Sequence, residues 1–180
     1  MSDTFAADVK AFCDKAQIRS DEALRAIAIE LLGRVVTRSP VGNPELWAAN
    51  QTAVEGRKAA IAGATQNGRT ISKGRLQASF PLTAGSGYVG GRFRGNWQVT
   101  FEAPATGPID NIDPSGGTTL AIGSAELSGA KIGTTIYLVN CLPYAERLEF
   151  GWSKQAPAGV VRVTVAEFQS VVQDVVGGQK

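Results

Sequence analysis

Histidine is absent from the 180 residues. With it go the commonest general base, the proton shuttle of serine and cysteine triads, and the commonest zinc ligand. Only carboxylate, lysine or cofactor chemistry stays open to an enzyme of this composition. Cysteine is scarce: Cys13 and Cys141 are the two, neither in a C-x-x-C pair nor at metal-ligand spacing. They read as buried or half-buried thiols in a reducing compartment. Excess charge of one sign is also lacking. Eighteen Lys and Arg face sixteen Asp and Glu, a net +2 that falls short of a dedicated DNA-binding domain. No apolar run approaches the ~20 residues that cross a bilayer. The opening Met1-Ser2-Asp3-Thr4 has neither a positive n-region nor an apolar h-region. These absences predict a protein with no membrane contact that stays in the cytoplasm where it is made, unless something larger carries it out.

The familiar catalytic patterns are missing as well. There is no G-x-S-x-G elbow and no G-x-x-x-x-G-K-[ST] phosphate loop. Gly85-Ser86-Gly87-Tyr88-Val89-Gly90 matches G-x-G-x-x-G, but it follows a loop and leads into a strand pattern. A dinucleotide site needs the reverse order, so a flexible loop is the better reading. Asp110 with Asp113, and Glu146 with Glu149, are carboxylate pairs. Glu146 and Glu149 flank Arg147 rather than facing each other across a substrate, which favours solvated or interface charge. No catalytic residue, metal or cofactor is expected.

What is present is an ordinary hydrophobic share, 43%, enough for a single domain over 1–180 to fold without staples. Phe5, Val9, Phe12 and Ala16 recur at helical spacing and predict a helix over 3–16. Ser20 then reads as an N-cap with Asp21 and Glu22 in the first turn. A second helix follows on the stripe Leu24, Ile27, Ala28, Leu31 and Val35, and stops at Ser39-Pro40. Residues 45–64 could hold one helix of weak periodicity. Residues 66–91 read as an extended loop or hairpin, with a strand at 78–82. Between Asn50 and Gly87, Arg57, Lys58, Arg69, Lys73 and Arg75 face Glu55 alone, so this arm carries a local excess of four positive charges.

Phe93, Gly95, Trp97, Val99 and Phe101 alternate with polar residues and predict a strand over 93–102. Arg92 and Arg94 are left as surface contacts to a phosphate or carboxylate. The interleaved cations and aromatics could also stack single-stranded nucleic acid, although Phe93 and Trp97 share the face expected to be core. A short helix is predicted over 118–127, a central strand over 131–141, and a C-terminal helix over 160–176. In that last helix Val161, Val165, Phe168, Val172 and Val175 point inward. Helices before and after a run of strands predict an α+β fold: a small antiparallel sheet packed on N-terminal and C-terminal helices, with a long arm or insertion at about 50–87.

Three segments together carry a resemblance. They are Arg38-Ser39-Pro40-Val41-Gly42-Asn43-Pro44-Glu45-Leu46-Trp47, then Gly87-Tyr88-Val89-Gly90-Gly91-Arg92-Phe93-Arg94-Gly95-Asn96-Trp97, then the stretch from Asn140 to Arg162. That last stretch contains Pro143-Tyr144-Ala145-Glu146-Arg147-Leu148-Glu149-Phe150-Gly151 and Ser153-Lys154-Gln155-Ala156-Pro157. In order and content the chain resembles the neck, or tail-completion, proteins of long-tailed bacteriophages and prophages. The stretch between Trp47 and Gly87 is longer than in compact members of that family.

The resemblance implies a structural virion protein and no enzyme. It implies a hexameric ring that completes the tail and joins it to the head, beside neighbouring connector or tail-tube proteins, assembled in the cytoplasm of the host. A ring subunit needs anchors on two faces. Trp47, Tyr144, Glu146, Glu149, Trp152, Lys154 and Gln155 are the candidates, with the basic arm reaching a partner ring or DNA in the channel. A nucleic-acid-binding module and a minor tail protein remain the alternatives.

Overall fold

The computed structural model describes residues 2–84 and 88–178. The Gly85-Ser86-Gly87 part of the glycine pattern lies outside the described residues. The chain is α+β. Helices α1 (Ser2–Arg38), α2 (Gln51–Gln66), α3 (Lys73–Ser79) and α4 (Arg92–Gly95) precede strand β1 (Trp97–Phe101). Helix α5 (Gly117–Leu127), strand β2 (Ile136–Asn140) and helices α6 (Ala145–Glu149), α7 (Val161–Ala166) and α8 (Phe168–Gly177) follow. The chain divides into two compact units, Met1–Val41 with Gly91–Lys180, and Gly42–Gly90.

In the first unit, α1 is one continuous helix of 37 residues, not two. The expected N-cap, Ser20, donates its hydroxyl to the Ala16 carbonyl instead, a bond a mid-helix serine makes when it faces back along the helix. Asp21 is buried and accepts the Ile132 N–H at 2.7 Å. Arg25 donates to the Ala130 carbonyl at 3.0 Å. The polar cluster that looked like a helix start is thus used to hold the loop that precedes β2.

Downstream, Ala28, Leu32, Val35 and Val36 form the buried stripe. They pack with Phe93, Trp97, Leu127, Leu142, Ala156 and Val160. Helix α5 approaches α1 closely at Gly123, where any Cβ would overlap the Leu32 side chain.

Strands β1 and β2 pair antiparallel, with Trp97 opposite Asn140 and Phe101 opposite Ile136. A two-stranded ribbon is marginal by itself. Here the apolar face of β1 lies against α5 and the core. The strand expected from Phe93 begins only at Trp97. Residues 92–95 form a helical turn, fixed by the fully buried Asn96. Its side-chain amide donates to the carbonyls of Arg92 and Ile109 and accepts the Ile109 N–H. Strand β2 is half-buried at all five positions. The strand expected to be central pairs, among the described residues, with β1 alone.

The C-terminal helix breaks at Glu167 into α7 and α8. Arg38 holds the Glu167 carboxylate with two contacts at 2.7 and 2.8 Å, and Arg34 also pairs with it. Val161, Val165 and Phe168, expected inward, are exposed, while Thr164 and Val171 are buried. Of the two thiols expected buried or half-buried, Cys13 is exposed and Cys141 is half-buried, and both are free.

The second unit is short and helical. The segment read as a loop or hairpin carries α3 in place of a strand at 78–82. Ser72 caps that helix through its side chain. Buried Asn50 donates to the Pro44 carbonyl and accepts the Thr83 N–H at 2.7 Å. Arg57 donates to the Phe80 carbonyl and sits 3.6 Å from Glu45. These bonds close the unit across its own length.

Candidate functional site

The three segments that carry the family resemblance meet at the C-terminal end of α1. Ser39 is buried: its hydroxyl donates to the Val35 carbonyl and accepts the Trp97 indole N–H, both at 2.7 Å. Arg94 donates to the carbonyls of Thr37, Ser39 and Pro114. A cation in this position satisfies carbonyls that a helix end leaves open and opposes its dipole. Gln155 makes a two-point bond with the Val41 backbone, donating at 2.8 Å and accepting at 3.3 Å. The first segment is therefore bound to the second through Ser39 and to the third through Val41.

That network corrects two expectations. Arg94 is not an open phosphate contact, because its terminal nitrogens are committed to backbone carbonyls and its Nε is buried. Glu149 is not a solvated partner of Glu146. Its carboxylate accepts the backbone N–H groups of Val160, Val161 and Arg162 at 2.8–2.9 Å, capping the start of α7. Burial opposes ionisation of Glu149. The bonds from Arg162, Val160 and Val161 outweigh it and hold the pKa below the ordinary value. Asp113 has a similar role at α5. Burial raises its pKa, but the Thr119, Ser115 and Gly116 bonds outweigh that and bring it down to about 2.

Capping by Glu149 builds an exposed corner between α6 and α7. Gly151, at φ 86°, turns the chain there, and Gly159, at φ 84°, leaves room for the Glu149 carboxylate. Two aromatic–arginine pairs stand on this corner. Arg147 lies over the Trp152 ring at 5.0 Å, and Arg162 lies over Phe150 at 5.2 Å. Trp152 is 72% exposed and Phe150 66%. Aromatics and arginine are the residues that most often dominate binding energy at interfaces. Glu146 and Lys154 are exposed nearby in sequence, and Tyr144 packs its ring 6.2 Å from Phe93.

The sequence nominated Trp152 but missed Arg147, Arg162 and Phe150. The signal was present. In a helical turn closed by glycine, Trp152 donates its N–H back to Arg147, which brings those two side chains together.

In the second unit, Trp47 meets Tyr88 edge to face at 5.2 Å. Arg57 is an internal brace there. Lys58, Arg69, Lys73 and Arg75 are exposed, and so is Arg92 of the first unit. Among the described residues no His, Cys, Asp and Glu cluster could hold a metal ion. Among them, too, no helix is long and apolar enough to cross a membrane. No family model, curated protein or solved structure matches the chain.

Proposed function

We propose that the chain is a structural subunit of a bacteriophage neck or tail end, acting as a ring, a hexamer, that completes the tail and joins it to the head. The observation that carries the reading is the convergence of the three family-like segments. Ser39 binds Arg94 and Trp97, Gln155 binds Val41, and Glu149 separately caps α7 beside the Phe150–Trp152 corner.

Contacts within a ring are heterologous, so one subunit needs two unlike faces. The α6–α7 corner supplies one of them, with Trp152, Phe150, Lys154 and Glu146 as contact residues. The partners are further copies of the chain and the neighbouring connector or tail-tube proteins, and the location is the virion. Purified particles from the source strain should contain this chain in a fixed ratio of several copies per tail. Particles that lack it would refute the reading.

A second reading, contact with DNA, is favoured by one observation: Lys58, Arg69, Lys73 and Arg75 are all exposed in one compact unit. It predicts DNA affinity that falls steeply with salt, by about one power of concentration per phosphate neutralised.

A further inference from the structure

Residues 5–19 of α1 are all exposed, yet they carry an apolar stripe. Phe5, Val9, Phe12 and Ala16 follow one another at spacings of four, three and four, the seam of a two-helix coiled coil. Phe5 and Phe12 are 72% and 73% exposed. Two bare phenylalanines in line on one helix face need a cover. A lipid surface suits them poorly, because Asp8 and Asp14 interrupt the cations on the rest of this helix, whereas helices that lie on membranes are rich in Lys and Arg there.

We propose that this stripe pairs with the same stripe of a second copy, antiparallel, making the free chain a two-fold dimer. Size and charge both select that arrangement. Running the helices antiparallel about the point between Lys10 and Ala11 sets Phe5 against the partner's Ala16 and Val9 against the partner's Phe12. Each large side chain then meets a smaller one. A parallel pair would set Phe12 on Phe12 and Ala16 on Ala16, a clash beside a void.

Along one flank of the seam lie Asp8 and Lys15. The antiparallel pair brings Asp8 beside the partner's Lys15, and by symmetry Lys15 beside the partner's Asp8. The other flank carries Ala6 and Cys13, small enough for close approach. The stripe is short. The contact therefore falls in the class of interfaces under about 1,200 Å², which form weak, concentration-dependent complexes. An isologous pair closes on itself. The dimer is a property of the free chain, independent of the ring proposed above, and it stands or falls whether or not the chain belongs to a virion.

The test is sedimentation velocity of the full chain over a range of concentrations. Monomer giving way to dimer is expected. Phe12→Asp should weaken the dimer by roughly a hundredfold or more, with an unchanged circular dichroism spectrum because the site is exposed. Asp8→Lys or Lys15→Asp alone should weaken it by about tenfold, and the double exchange should restore it. Orientation is read with a short bifunctional maleimide. Ala6→Cys should cross-link to Cys13 of the partner. A monomer at every concentration would overturn the proposal. So would a dimer indifferent to Phe12→Asp, single charge reversals that the double exchange fails to rescue, or an Ala6→Cys dimer that forms no link to the partner's Cys13.

Discussion

The two halves of α1 are one helix under two regimes. From Ala28 to Ser39 its apolar stripe is buried, and its arginines are bonded to Glu167 and Thr164. From Phe5 to Arg19 an equally regular stripe lies in the open. Local propensity does not distinguish them, because both halves are helical. What differs is whether the rest of the chain supplies a cover. The C-terminal half is where the fold is held together, whereas the N-terminal half and the α6–α7 corner leave apolar side chains exposed. Around the C-terminal half of α1, Arg34, Arg38, Arg94 and Glu167 bond within the chain.

The largest effect should separate the two halves directly. Leu32→Ala empties a fully buried site and should cost about 2–5 kcal/mol in urea unfolding. Phe12→Ala, measured at concentrations low enough to keep the chain monomeric, should stay within about 0.5 kcal/mol. Equal losses would mean that the N-terminal half is packed after all.

The next contrast uses acid. Asp113 ionises at about 2 in the fold, against an ordinary 3.8. A pKa lowered by folding stabilises above the unfolded value and ceases to do so as pH falls through the folded one. About 2 kcal/mol should therefore be lost between pH 4 and pH 2. Glu149, also held low, adds to the loss below its ordinary value of 4.5. Asp113→Asn should be less stable than the parent at pH 6 and should lie close to it at pH 2. An unchanged difference across that range would show that the carboxylate charge is not what caps α5.

Smaller again is the corner itself. Glu149→Gln removes a charged helix cap and should cost about 0.5–2 kcal/mol. It should also broaden the nuclear resonances of Phe150 and Trp152, whose positions depend on that cap. Trp152→Ala gives up an exposed ring and its stacked arginine, and should change stability by at most about 1 kcal/mol. If the corner is an interface, the same substitution should weaken assembly by about 2 kcal/mol or more. An unfolded Trp152→Ala chain would place the ring in the core and remove the corner from consideration.

How far the sequence could be read follows the same division. The stripe from Leu24 to Val35, the helix at α5 and the alternation of Trp97, Val99 and Phe101 are local periodicities, and each was legible. The α+β class followed from their order. What was not legible depended on distant partners. Ser20 and Asp21 make a persuasive helix start until Ile132 and Ala130 use that stretch as an anchor. Phe93 continues a strand pattern that buried Asn96 interrupts by bonding Ile109.

Candidate contact residues divided likewise. Trp152 is as exposed as its turn-rich setting implied. Arg94 and Gln155 look like surface polar residues until the carbonyls of Ser39 and Val41 are brought to them. A bonding partner far along the chain leaves no mark on the periodicity around a residue.

The central claim, a subunit whose work is joining, is tested most directly by deleting the gene from the genome that carries it. The products are then imaged by electron microscopy, with the parent gene and Trp152→Ala each supplied in trans. The account predicts filled heads and separate tails after deletion, restoration of joined particles by the parent gene, and poor restoration by Trp152→Ala at equal protein levels. Intact, infectious particles from the deletion alone would contradict it.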